Sequence, residues 1–215
     1  MILLLSGGQD STALLFYAIK RGYGNIHALS INYGQTHQRE LDAACRVVAV
    51  AQFYYPHAKI THEVLNVGRG VLKFRPQSDV IPVRNLFFLS IAANRCAALG
   101  HSVIGLGACL ADAEAFADCR PAFVAAAGAA VVKSFDDAHE FITIVRPFID
   151  KTKKEIIDIC GDIAGCDEAI ALSHTCYMGT DEPCTKCAAC ITRAAGFAAA
   201  NKADPLWVRL SLARA

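Results

Sequence analysis

Short apolar runs alternate along this chain with longer stretches in which apolar residues recur every three or four positions, the signature of strands interleaved with amphipathic helices. Ile2 to Leu5 reads as a first strand, and Ser11 to Lys20 as the helix after it, closed by Arg21 and Gly22. Ile26 to Tyr33, Ala58 to Leu65, Ser102 to Gly107 and Phe141 to Val145 read as further strands. Between them, Gln38 to Ala51, Arg84 to Ala98 and the Ala-rich Arg120 to Phe135 read as helices, and Lys151 to Cys160 as another that opens after Asp150. Gly68 to Pro82, punctuated by glycines and prolines, reads as a surface excursion near the active site. This order predicts an α/β fold, a doubly wound parallel sheet of about five strands with helices on both faces. Ligands should then bind outside the carboxyl ends of the strands. The α/β pattern fills residues 1–165, and residues 166–215 form a C-terminal lobe that carries a cysteine cluster.

The first strand runs directly into Leu5-Ser6-Gly7-Gly8-Gln9-Asp10-Ser11-Thr12, a small-residue loop that opens a helix. Gly7 and Gly8 let phosphate oxygens reach main-chain N–H groups, and the helix adds its positive end. Ser6, Ser11 and Thr12 supply hydroxyls, while Asp10 either orients the loop or holds a magnesium ion. The loop has neither the Gly-Lys-Ser/Thr ending of a Walker A segment nor dinucleotide-fingerprint spacing. It resembles the pyrophosphate loop of the ATP pyrophosphatases, which split ATP between its α and β phosphates to adenylate an acid or amide oxygen. The alternative is an ordinary glycine-rich turn.

With 215 residues the chain can bury a substantial core, and its net charge of +1 offers no electrostatic footprint for direct nucleic-acid binding. A small-molecule substrate fits better. Neither a secretory leader nor a membrane-spanning apolar run is present, so a cytoplasmic location with no membrane contact is expected. There, ten cysteines read as ligands or buried thiols rather than disulfides. Cys176, Cys184, Cys187 and Cys190 are spaced to close a tetrahedron around a structural zinc. An iron-sulfur cluster and a chance group of buried thiols are the alternatives. Cys45, Cys96 and Cys160 read as small core residues, and Cys109 and Cys166 carry no assignment.

With loop and cluster in one chain, the sequence resembles the 7-cyano-7-deazaguanine synthases over nearly all of its length. Tyr33-Gly34-Gln35 with His37 and Glu40, Pro82-Val83-Arg84-Asn85, Asp118-Cys119-Arg120-Pro121, Lys153-Lys154-Glu155-Ile156 and Cys190-Ile191-Thr192-Arg193 each match a family segment. The resemblance implies an adenine nucleotide alpha hydrolase-like fold with a zinc-binding lobe, ATP and Mg²⁺ as co-substrate and metal, and a homodimer. It implies that 7-carboxy-7-deazaguanine is adenylated, that ammonia displaces AMP to give the amide, and that a second ATP drives the amide to the nitrile. Asp10, Ser11 and Lys153 would then serve catalysis, with Leu5 to Thr12 and Tyr33, Gly34 and Gln35 around ATP. Arg84, Asn85, Phe116, Asp118 and Arg120 would line the deazapurine site.

Each of these has a plainer alternative. Arg84 and Asn85 could only cap a helix, Asp118 could cap the helix from Arg120, Phe116 could be core, and Lys153 could be one of several solvated charges. His37 and His174 receive no catalytic role. Asp112-Ala113-Glu114-Ala115-Phe116-Ala117 departs from the family pattern before Asp-Cys-Arg, as do Val83 and His174-Thr175. These departures admit a different carboxylate acceptor or a reaction that stops at the amide. A tRNA thiolase, an amide ligase and a non-catalytic nucleotide-binding scaffold are the competing readings.

Overall fold

The computed structural model describes residues 1–35, 38–73, 80–135 and 142–214. Five parallel strands, β1 (Ile2–Leu4), β2 (Asn25–Asn32), β3 (Lys59–Asn66), β4 (Val103–Gly105) and β5 (Thr143–Val145), lie in the order β3-β2-β1-β4-β5. β1 is wholly buried, pairing Leu3 with Ala28 on one side and Gly105 on the other. The chain moves outward from β1 first one way and then the other, so the crevice at its carboxyl end is the switch point of the sheet.

Helices cover both faces, as the apolar pattern requires of a parallel sheet. On one face α1 (Gln9–Lys20) and α2 (Arg39–Tyr54) bury Leu14, Phe16, Val47 and Ala51 against Leu3 and Leu5. α6 (Lys153–Gly161) adds Ile156 and Ile157 to the same core. On the other face α3 (Arg84–Leu99) and α5 (Pro121–Lys133) bury Leu89, Ala93 and Val124 against Ile2, Leu29 and Ile104. The five strands and the principal helices therefore stand where the apolar pattern put them. Arg21 and Gly22 close α1 as expected, with Arg21 N donating to Tyr17 O at 2.9 Å and Gly22 at a φ of 90°.

Several expectations are corrected. α1 begins at Gln9 rather than Ser11, so the loop's acidic residue lies in its first turn. The short α4 (Leu110–Ala115) and a 3₁₀ turn (Ala117–Cys119) stand where no element was expected, because six residues are too few to show a helical period. α6 opens on Thr152, not Asp150: Thr152 and Glu155 form a reciprocal capping box. Asp118 does not cap α5, whose cap position is Arg120. Its Oδ2 instead accepts from Asn85 N at 3.0 Å, in the first turn of α3. The cap position of α3 is Val83, held at a φ of 56° with no side-chain acceptor to offer, so the acceptor comes from a distant segment. Cys45 is exposed rather than core, since the buried stripe of α2 runs through Ala43, Ala44, Val47, Val48 and Ala51. Phe141, Pro76 and His37 lie outside the described residues.

The C-terminal segment carries α7 (Cys166–Leu172), α8 (Ala188–Ala199) and α9 (Pro205–Leu212). Cys166, Ala169 and Ile170 of α7 and Phe197 of α8 join the core that holds α1 and α2. Arg193 fastens this segment from within. Its guanidinium forks onto Asp204 at 2.7 and 2.9 Å, donates to Ser173 and Thr175 at 2.8 and 2.9 Å, and reaches Ile170 O at 3.1 Å. Both charged side chains are nearly sealed from solvent, at 5% and 7% exposure. A buried ion pair broken on one side leaves an uncompensated charge. Arg193→Ala should therefore lower unfolding stability by about 3–5 kcal/mol, read from the shift of the urea denaturation midpoint.

Candidate functional site

The loop after β1 is closed by its own hydroxyls. Ser6 Oγ accepts from Gly8 N at 3.1 Å and lies 3.0 Å from Ser11 Oγ. Ser11 and Thr12 donate to Gly8 O at 3.2 and 2.8 Å. Two close approaches explain the glycines around it. Gly7 takes a φ of 88°, and a Cβ there would fall 2.0 Å from Glu40 O in α2. A Cβ on Gly107, after β4, would fall 3.1 Å from both Ser11 N and Cα. The loop is thus gripped between α2 and the β4 turn with its amides at the N-terminus of α1, an arrangement that suits anions.

Beneath the loop, Asp10 forms an ion pair with Lys153, the first residue of α6, and both side chains are largely buried. The solvated-charge alternative for Lys153 is therefore set aside; Lys151 and Lys154 are more exposed and pair locally with Asp150 and Asp158. Burial works against the Lys153 ammonium, and the Asp10 carboxylate more than offsets it, holding the lysine above its usual range. Asp10 Oδ1 is buried with no hydrogen-bond partner among the described residues. Asp10, Asp112 and Cys109 each bring one donor atom within 4.8 Å of the others. The carboxylate oxygens suit a hard cation and the thiol does not.

Across the crevice, the segments after β2, β3 and β4 meet. The Arg84 guanidinium faces the Tyr33 hydroxyl and lies 5.9 Å from the Phe88 ring centre and 6.0 Å from that of Phe116. Gln35 Oε1 accepts from Tyr33 N at 3.1 Å, and Gly34 N donates to Asn32 Oδ1 at 3.1 Å, which shapes the turn after β2. The Asn85 amide is buried and used within the protein, donating to Asp118 O at 3.1 Å and Cys119 Sγ at 3.2 Å. Arg120 donates to Ala113 O at 3.2 Å on the exposed side. Sequence reasoning quoted Glu40 and Asp112 within segments without giving either a role of its own, and passed over a third neighbour, Tyr177. Glu40 stands within the quoted Tyr33 to Glu40 segment and Tyr177 directly follows a cysteine of the cluster, so proximity to a motif was the available signal.

Cys176, Cys184, Cys187 and Cys190 bring their sulfurs within 4.8 Å of one another, with Cys184 and Cys190 at 4.0 Å. Four sulfurs about 2.3 Å from one metal would stand about 3.8 Å apart, so the group has the dimensions to hold a metal. Cys184 Sγ accepts from the Lys186 and Cys187 amides at 3.5 and 3.3 Å. These two backbone donors bring the Cys184 thiol down to about 6. The cluster reaches the loop through the chain just before it: His174 N donates to Gly7 O at 2.9 Å. Gly7→Ala meets both a forbidden φ and the α2 backbone. It should cost about 2 kcal/mol or more of stability, measured as a fall in thermal midpoint.

Residues 1–201 match the family model described as queuosine biosynthesis protein QueC. A 7-cyano-7-deazaguanine synthase of Gloeobacter violaceus is 34% identical, with 96% of this chain and 94% of that protein aligned. The same enzyme of Archaeoglobus fulgidus is 33% identical, over 95% of this chain and 88% of the other. A low structural likeness, TM-score 0.46 at 16% identity over 93% of this chain and 64% of the other, is found to the U34-tRNA thiolase NcsA from Methanococcus maripaludis with its [4Fe-4S] cluster. Among the described residues no helix is long and apolar enough to cross a membrane. With the family match running from the first strand through α8, and relatives a third identical along most of their lengths, the chain belongs to the QueC family.

Proposed function

We propose that this chain is a 7-cyano-7-deazaguanine synthase, an ATP-dependent C–N ligase that turns 7-carboxy-7-deazaguanine and ammonia into the nitrile through adenylated acid and amide intermediates. The observation that carries the reading is the meeting of two halves at the switch point. The phosphate-type loop after β1 and the Tyr33–Arg84 contact after β2 and β3 face one crevice, as adenylation of a bound carboxylate requires. Attack on the α-phosphate depends on holding the carboxylate oxygen in line with the departing pyrophosphate, so placement supplies most of the rate.

In this reading Leu5, Ser6, Gly7, Gly8, Gln9, Ser11 and Thr12 hold the phosphates on main-chain amides and hydroxyls. Tyr33, Gly34 and Gln35 wall the nucleotide. Lys153 offsets charge that develops on the pyrophosphate, and its pairing with Asp10 keeps the ammonium aimed there. The unpartnered Asp10 Oδ1 is the atom left for a magnesium ion, which would add a further positive charge beside the phosphates. Arg84, set between the Phe88 and Phe116 rings, is placed to pair a carboxylate, and Phe116 offers a ring face to the deazapurine. Asp118 and Asn85 brace one another, so they act on the substrate by fixing the wall that Arg84 and Arg120 occupy.

The four thiolates are read as ligands of a structural zinc with no open position; the metal would contribute folding energy to the lobe rather than chemistry to the crevice. A thiolase would need a thiolate in the cleft. Burial instead pushes the Cys109 and Cys119 thiols up to about 12, which keeps both protonated at neutral pH.

The test is mass spectrometry of a reaction containing the protein, 7-carboxy-7-deazaguanine, ATP, magnesium and ammonium. The nitrile and AMP are expected, with turnover lower by about 100-fold or more in Asp10→Ala and Lys153→Ala. No consumption of ATP with this acid would overturn the reading, and accumulation of the amide would move the product back one step. Stripping the metal with a chelator should lower the melting temperature by about 5 °C or more, since each kcal/mol is worth roughly 2–4 °C at this size; an unmoved transition would remove the zinc assignment.

A further inference from the structure

The synthase reading leaves one chemical task without a residue. Nitrogen enters as ammonium and leaves with no hydrogen. Ammonium first gives up one proton; the lone pair so freed forms the C–N bond with the acyl adenylate, the C–O bond breaks with its electron pair going to AMP, and a second proton leaves the nitrogen. When the adenylated amide, which already carries a C=N bond, collapses, one N–H pair becomes the third C–N bond as the second C–O bond breaks with its pair going to AMP, the other N–H pair stays on nitrogen as the nitrile lone pair, and the last two protons leave. A base close to the carboxyl carbon is needed at both stages.

Glu40 occupies the place for it. It sits in the first turn of α2, whose backbone packs on the loop so tightly that Gly7 admits no side chain. The same turn is tied to the cysteine lobe, with Arg39 donating to Gly179 O at 2.9 Å and pairing with Asp181. Around the Glu40 carboxyl stand Arg84 from α3, Tyr33 from the end of β2 and Tyr177 from the cysteine lobe. Asp118 stands near Arg84, and Asp112 near Tyr177. Glu40 therefore stands between the loop, where the adenylate oxygen must lie, and the guanidinium placed for the carboxylate.

From this juxtaposition we propose that Glu40 is a catalytic base that takes the protons from nitrogen in both C–N stages; the proposal rests on the synthase reading. Burial, with Arg84 pulling the other way, pushes the Glu40 carboxyl up to about 8, near the range in which one group can accept a proton and release it again. Because only the carboxylate accepts, the nitrogen steps slow as pH falls below that value.

The experiment compares the full-length protein with Glu40→Gln and Glu40→Asp. Exchange of labelled pyrophosphate into ATP, driven by 7-carboxy-7-deazaguanine, reports adenylation alone because no nitrogen takes part. Nitrile formation from ammonium across pH 6–10 reports the nitrogen steps, and hydroxamate formation from hydroxylamine supplies a nucleophile that is largely unprotonated at neutral pH. In Glu40→Gln, nitrile formation is expected to fall about 100-fold and far more than exchange, with its pH dependence reduced to the rise in free ammonia and hydroxamate formation largely kept. Glu40→Asp should keep measurable nitrile formation with a sloping pH profile, which separates lost chemistry from a lost fold. Nitrile formation near the parent rate in Glu40→Gln, or an equal fall in exchange and nitrile, would overturn the assignment. A parent protein that supports no exchange with this acid would instead bring down the synthase reading, and the Glu40 proposal with it.

Discussion

A parallel sheet delivers every strand end to one rim, and here that rim is divided at β1. With β2 on one side of it and β4 on the other, connections leave β1 in opposite directions and cannot cover the space between them. The wholly buried β1 is what holds that opening in place, because its side chains feed both cores at once: Leu3 into one, Ile2 and Leu4 into the other. The segments that follow β1, β2, β3, β4 and β5 then arrive at the opening by topology.

Around that opening, electrostatics does what packing cannot. A carboxylate and an ammonium withdrawn from water are costly singly and tolerable as a pair, so Asp10 and Lys153 have strong reason to stay together. Their partnership keeps Lys153 from swinging out into solvent, where Lys151 and Lys154 lie. Preorganised charge of this kind needs no rearrangement when a ligand's charge appears.

Much of this was legible in the sequence where the information is local. The strand, Ser6-Gly7-Gly8 and the helix after it lie within one stretch of chain, and the four cysteine spacings carry their own geometry. What escaped reading depends on segments meeting in space. That Asp118 would cap α3, rather than the helix beside it, follows only from the approach of the segments after β3 and β4. Val83, with its left-handed backbone and exposed side chain, leaves the vacancy that Asp118 fills. Cys45 looked like core because alanines and valines surround it, yet a shift of one helical position puts it in water. The short α4 has too little periodicity to announce itself. Glu40 had only its place near a motif to mark it, since the burial that sets its character comes from residues far along the chain.

The hydrogen bond from His174 N to Gly7 O joins residues far apart along the polypeptide. Translation runs from the N-terminus, so the loop after β1 is made well before the segment that seats its Gly7 carbonyl. Residue 174 must leave the ribosome before it can reach back to the loop. A fragment cut short ahead of the cysteine lobe would carry every residue of the loop and still lack its final support. A segment made early thus waits on one made much later, and products truncated between the two lack this hydrogen bond on the loop.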